Sequence, residues 1–161
     1  MDELGSWSLA YLLQWLGVFP GHLALVADDS GEQVARFLAQ QLNVPVCAAG
    51  RELMLPEPPA SADDLVDRLS QAGVLVGDLD LLYWHPWLMA DPLRVMSAVA
   101  RRNPPKIFVW PGEIENGVAR YSRPGRPDFF ERKLTDAVVL RPLATPPRFP
   151  DEPPYRMERF Q

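Results

Sequence analysis

Short runs of consecutive apolar residues, separated by stretches with helical spacing, constrain this chain more than any other feature. Leu23-Ala24-Leu25-Val26-Ala27 and the runs at 44–48, 74–82, 106–110 and 137–140 each read as a strand. A strand that is apolar at successive positions has no face for water, so it belongs in a sheet covered on both sides. Between these runs lie helical patterns. Val34, Phe37, Leu38 and Leu42 form one; Leu65, Val66 and Leu69 form a second behind the capping run Ser61-Ala62-Asp63-Asp64, and Gly73 ends it. A third opens at Asp91-Pro92, an N-cap followed by proline at the first helical position. Strand and helix in alternation predict a three-layer α/β domain with a mostly parallel sheet flanked by helices. In such a sheet ligands meet the edge where strands end and helices begin.

The chain of 161 residues is long enough for one domain with its own core. The expected organisation is an N-terminal apolar helix at 1–20, an α/β domain at 21–141 and a Pro-rich extended tail at 142–161. In the first segment Leu9, Leu12, Leu13 and Leu16, with Trp15 beside them, give a broad apolar stripe. That stripe serves either core packing or docking of a partner. The apolar run is too short for the roughly 20 residues a spanning helix needs. Met-Asp-Glu is acidic where export signals are basic, so a cytoplasmic protein with no membrane partner is expected. Asn116-Gly117 predicts a hairpin returning through Val118-Ala119-Arg120-Tyr121. In the tail, six of the 13 residues from 142 to 154 are Pro, which favours extended chain, and 137–140 is read as the final strand.

Composition narrows the chemistry. One cysteine, Cys47, excludes a disulfide framework and a Cys-rich zinc site, and two distant histidines, His22 and His85, make a His-based metal cluster improbable. Net charge is -5, which argues against a general nucleic-acid coat. The charge is uneven: residues 1–80 carry 12 acids and 3 bases, residues 81–161 carry 9 acids and 13 bases. Such asymmetry suits docking against charged partners, or is simply a solvated surface.

The strand-loop-helix at 23–42 has the shape of a P-loop, and the pattern G-x-x-x-x-G-K-[ST] would run from 26 to 33. Those positions read Val26-Ala27-Asp28-Asp29-Ser30-Gly31-Glu32-Gln33, so only the second glycine remains. Glu32 stands where a lysine would meet phosphates, and Gln33 where a hydroxyl would hold magnesium. A like-charge contact at roughly 4 Å costs about 4 kcal/mol at an effective dielectric near 20. Asp28, Asp29 and Glu32 together therefore oppose a triphosphate, and no cofactor is expected, with ATP and magnesium disfavoured. Ser30-x-x-Gln33 and Asp29-x-x-Glu32 both match a capping box, whose side chains occupy the helix N–H groups a phosphate would use.

Asp78 and Asp80 end the run at 74–82 in the manner of a Walker B motif, where an acid holds magnesium. Solvated or hydrogen-bonded carboxylates are the other reading, and a divalent cation shared with Asp28 or Asp29 is a third. Ser30 lacks the G-x-S-x-G elbow of a hydrolase. His85, in Trp-His-Pro-Trp, reads as a turn residue, and Arg101-Arg102 as cations at a helix C-terminus. Arg120, Tyr121, Arg123, Arg126 and Phe129 make a basic and aromatic stretch suited to a partner or to a DNA backbone.

A resemblance rests on several short motifs in order: Asp91-Pro92-Leu93-Arg94, Ala100-Arg101-Arg102-Asn103, Val109-Trp110-Pro111-Gly112 and Glu115-Asn116-Gly117. Tyr121-Ser122-Arg123-Pro124-Gly125-Arg126-Pro127-Asp128-Phe129 completes the set. Together they resemble the BrxF family, small P-loop proteins of BREX (bacteriophage exclusion) phage-defence systems, over about residues 22–142. The resemblance implies a P-loop NTPase fold and a place in a multi-protein complex that tells phage DNA from host DNA. Family members look like ATP binders with an intact loop, and Val26, Glu32 and Gln33 depart from that. The expectation is therefore a pseudo-NTPase scaffold or adaptor bound to a large ATPase, methyltransferase or phosphatase-like BREX subunit. A residual ATP- or metal-dependent NTPase using Asp78 and Asp80, or a DNA-contacting subunit, are the competing readings.

Overall fold

The computed structural model describes residues 2–3, 8–27, 33–54, 57, 59–80, 91–122, 124–126, 129–143, 149 and 153–161. Along the chain the elements are β1 (Asp2–Glu3), α1 (Leu9–Val18), β2 (Leu23–Val26), α2 (Gln33–Leu42) and β3 (Cys47–Ala48). A π-helical segment (Gly50–Met54), α3 (Ala62–Ser70), β4 (Leu75–Gly77), α4 (Pro92–Arg102) and β5 (Ile107–Val109) follow. Then come β6 (Glu113–Glu115), β7 (Val118–Tyr121), β8 (Phe130–Lys133), β9 (Ala137–Pro142) and β10 (Tyr155–Phe160).

Seven strands form one sheet in the order β1-β10-β9-β2-β5-β4-β3. The five from β9 to β3 are mutually parallel, while β10 runs antiparallel to both β9 and β1. The apolar runs account for this directly, because successive side chains of one strand enter opposite layers. Leu23, Leu25 and Ala27 pack with Leu65 and Leu69 of α3 and Met96 and Val99 of α4. Ala24 and Val26 pack on the other face with Leu12 and Leu16 of α1 and Val34 and Leu38 of α2. The predicted mostly parallel sheet flanked by helices is thus what the chain forms.

The local signals act as chemistry requires. Ser8, Ser61 and Asp91 cap α1, α3 and α4, each side chain accepting from the backbone N–H three residues on. At the predicted hairpin Asn116 and Gly117 have φ of 51° and 75°, the two left-handed residues of a type I′ turn. It joins β6 to β7, and β8 completes a separate three-stranded antiparallel sheet between β5 and β9 in sequence.

Three expectations are corrected. The strand read at 74–82 stops at Gly77, because Asp78 takes a φ of 54° and leaves the extended region. The three prolines within 50–60 predict an exposed loop there, but residues 50–54 form the π-helical segment, because acceptors from Asp78 meet its first N–H groups. The run at 137–140 is not the final strand, and the extended tail read at 142–161 returns to the sheet. β10 pairs with β9 from Tyr155 opposite Pro142 to Phe160 opposite Ala137. Its alternation drives this, since Tyr155 and Met157 enter the core while Arg156 stays exposed. On α1, Leu12, Trp15 and Leu16 are buried, so the stripe's centre is core, whereas Tyr11, Val18 and Phe19 are exposed.

Candidate functional site

The connection leaving β2 runs to the β3 edge, whereas that leaving β5 runs back past β2 to β9. The carboxyl ends of β2 and β5 therefore flank a topological switch point, where open parallel sheets place their ligands. A cleft of about 1420 Å³ opens at this edge. Its floor is made by the segments following β4 and β5, Gly77 to Asp80 and Val109 to Gly112. Ala35 and Arg36 of α2 form one side, and the antiparallel sheet β6–β8 forms another.

Of the loop at 26–33 only the ends are described. Val26 and Ala27 are buried and built into the sheet: the Val26 carbonyl accepts from the Trp110 N–H at 3.0 Å, and the Ala27 N–H donates to the Leu140 carbonyl at 2.9 Å. Gln33 opens α2. Asp28, Asp29, Ser30, Gly31 and Glu32, with the capping boxes proposed for them, lie outside the described residues, as does His85.

Asp78 and Asp80 both line the cleft and differ in use. The Asp78 carbonyl accepts from the Gly50 N–H at 3.0 Å, and its Oδ2 accepts from the Arg51 N–H at 3.1 Å, with Arg51 Nε 4.0 Å away. This acid fastens the π-helical segment to the end of β4. Asp80 is exposed as a residue, yet partial desolvation of its carboxyl, and then the charge of Asp78, push it above the usual carboxylate range. Among the described residues no group of three His, Cys, Asp or Glu side chains is placed to hold a metal ion.

The basic stretch reaches the same cleft. Arg120, Arg126 and Phe129 line it together with Ser122 and Pro124, so the two sets singled out along the chain, acids at 78 and 80 and arginines beyond 112, share one opening. Tyr121 instead packs against the core on the α3–α4 side, and Arg123 lies outside the described residues. Cross-strand pairing sets Glu113 opposite Arg120, and Arg120 opposite Glu131, whose Oε2 accepts from Arg120 Nε at 2.5 Å. Glu113, Glu115, Glu131, Arg36 and Arg51 are the charged lining residues that sequence reasoning did not assign to a site, Glu115 entering only through the Glu115-Asn116-Gly117 motif. The first two carried a signal, since Glu-Ile-Glu before Asn-Gly is a strand with one polar face; Arg51 carried none.

The small sheet is fastened to the main one. Trp110 Nε1 donates to the Arg120 carbonyl at 2.9 Å, and the Arg141 guanidinium donates to the Ile114 carbonyl. A Cβ on Gly112 would stand 2.0 Å from the Arg120 carbonyl oxygen, so only glycine permits this approach. Gly117 packs against the Phe160 ring of β10. Arg132 on β8 bridges to Asp91 at the cap of α4.

Other chemistry-bearing residues have structural partners. Burial, then Glu52, pushes the Cys47 thiol up to about 11, so it stays protonated at neutral pH. Lys106 is buried, donates to the carbonyls of Ala72 and Gly73, and is lowered by desolvation. Arg102, in the last turn of α4, bridges to Asp67 of α3, and the Arg101 side chain lies against Gly21. Among the described residues no helix is long and apolar enough to cross a membrane.

No family model, no curated protein and no solved structure matches the chain. Fold and site together define an α/β protein with a mostly parallel sheet, helices on both faces and a mixed-charge cleft at its carboxyl edge.

Proposed function

We propose that this chain is a BrxF-like component of a BREX phage-defence system, cytoplasmic and non-catalytic, acting as a scaffold or adaptor built on a P-loop-type fold. The observation that carries the reading is the use made of Asp78. A Walker-B-type acid presents its carboxylate to a cation, whereas here Oδ2 of Asp78 accepts from the Arg51 N–H and anchors the π-helical segment. Support also comes from the loop sequence, in which Val26, Glu32 and Gln33 replace the groups that hold a nucleotide in a P-loop, and from the mixed charge of the cleft at the carboxyl edge of the sheet. The motifs behind the resemblance do identifiable work. Asp91-Pro92 starts α4, Gly112 permits the close crossing, and Asn116-Gly117 turns the hairpin that walls the cleft.

The DNA-contacting reading is weakened by the acids around the arginines: Arg120 is matched by Glu131 and faced by Glu113. The test is co-expression with the large ATPase, methyltransferase and phosphatase-like subunits of a BREX system. The expected result is stable co-purification with one of them, retained when Asp80 is replaced by Asn. Absence of any complex, or phage protection that depends on the Asp80 carboxylate, contradicts the reading.

A further inference from the structure

The cleft's volume and charge say what kind of occupant it suits. At about 1420 Å³ it exceeds the roughly 300–1,000 Å³ of small-molecule sites. Of the four arginines lining it among the described residues, two are already matched within it, Arg51 beside Asp78 and Arg120 with Glu131. Asp80, Glu113 and Glu115 are left on the acidic side, and Arg36 and Arg126 on the basic side. All five are exposed. A triphosphate or a nucleic-acid backbone carries one sign of charge and would meet three carboxylates, each opposing it. A polypeptide presents both signs and apolar side chains besides. The cleft offers the partly exposed Val109 and Phe129 for the latter.

We infer that the cleft receives an extended segment of a partner protein, with a basic side chain directed to Glu113, Glu115 and Asp80 and an acidic one to Arg126. The inference rests on the scaffold reading above and names its docking site. The walls are preformed, since the Trp110 to Arg120 and Arg141 to Ile114 hydrogen bonds hold the small sheet in place. Preformed walls reduce the ordering a bound segment must impose.

The test is binding of a fluorescent positional-scanning peptide library, about eight residues long, to the full chain. The expected result is selection of a Lys or Arg at one position and an Asp or Glu at another. The double change Glu113→Lys and Glu115→Lys should weaken the selected peptide by about tenfold or more and abolish the basic preference alone. Arg126→Glu should abolish the acidic preference alone. Because all three side chains are exposed, thermal unfolding of Arg126→Glu should match the parent, and that of the double change should fall only slightly, through the lysine at 113 facing Arg120. No selection, or selection indifferent to these changes, overturns the inference, as does displacement of the peptide by a short DNA duplex or by tripolyphosphate. Failure of the scaffold reading looks different: saturable binding of Mg-ATP with the peptide still bound at the same residues.

Discussion

Gly112 shows how a single position sets the geometry of the cleft. Its missing Cβ lets the Arg120 carbonyl approach, and that carbonyl also takes the Trp110 indole N–H. Gly112→Ala should lower stability by about 1–3 kcal/mol through overpacking, read as a shift in urea midpoint with unchanged m-value. Asp78 makes the complementary case. Asn keeps an acceptor oxygen and tolerates the left-handed backbone, so Asp78→Asn should stay within about 0.5 kcal/mol of the parent, while Asp78→Ala should lose about 1 kcal/mol. A magnesium ligand would behave otherwise: added magnesium would raise the stability of the parent and not that of Asp78→Asn. Cys47 gives a pH test. With its thiol raised from 9.0 to about 11, the folded state keeps a proton that the unfolded chain releases between those values. Its contribution is complete below pH 9 and lost as pH rises through about 11. The stability difference between the parent and Cys47→Ala should therefore shrink across that window, and alkylation of the folded protein at pH 8 should be slow. Neither Gly112 nor Asp78 showed these roles in the sequence, because each depends on atoms brought from other elements.

Local chemistry made several elements readable, and non-local chemistry hid the others. The Asp91-Pro92 start of α4, the Ser61 cap of α3 and the Asn116-Gly117 turn each depend on neighbours within a few residues, and each forms where the residues predict. The π-helical segment depends on Asp78, 27 positions from Arg51, so no local pattern announced it. β10 was masked by the prolines before it, although the alternation of Tyr155 and Met157 with Arg156 is a strand pattern. Its buried Glu158 is held by Arg141 and Arg156, each at 3.0 Å. Removing residues 1–19 tests the assignment of α1 to the core. Loss of Leu12, Trp15 and Leu16 removes burial worth about 1.5–3 kcal/mol for each large side chain. The truncated protein should be aggregated or melt at markedly lower temperature; a soluble domain of unchanged stability would make α1 a docking element instead.

At the scale of the whole molecule, the sheet order places β2 and β5 side by side with connections leaving in opposite directions, and the small sheet between β5 and β9 walls the resulting cleft. The layers were legible because buried parallel strands must be apolar at every position. The cleft was not, because its charged wall comes from pairing of β6, β7 and β8, which converts three separate stretches of sequence into one row, Glu113, Arg120 and Glu131. That row makes the opening mixed in sign, which suits a binding role without nucleotide chemistry. Calorimetric titration of the full chain with ATP and magnesium tests this most directly. No saturable heat is expected at millimolar nucleotide; a micromolar Kd that is lost in Asp80→Asn would overturn the non-catalytic role.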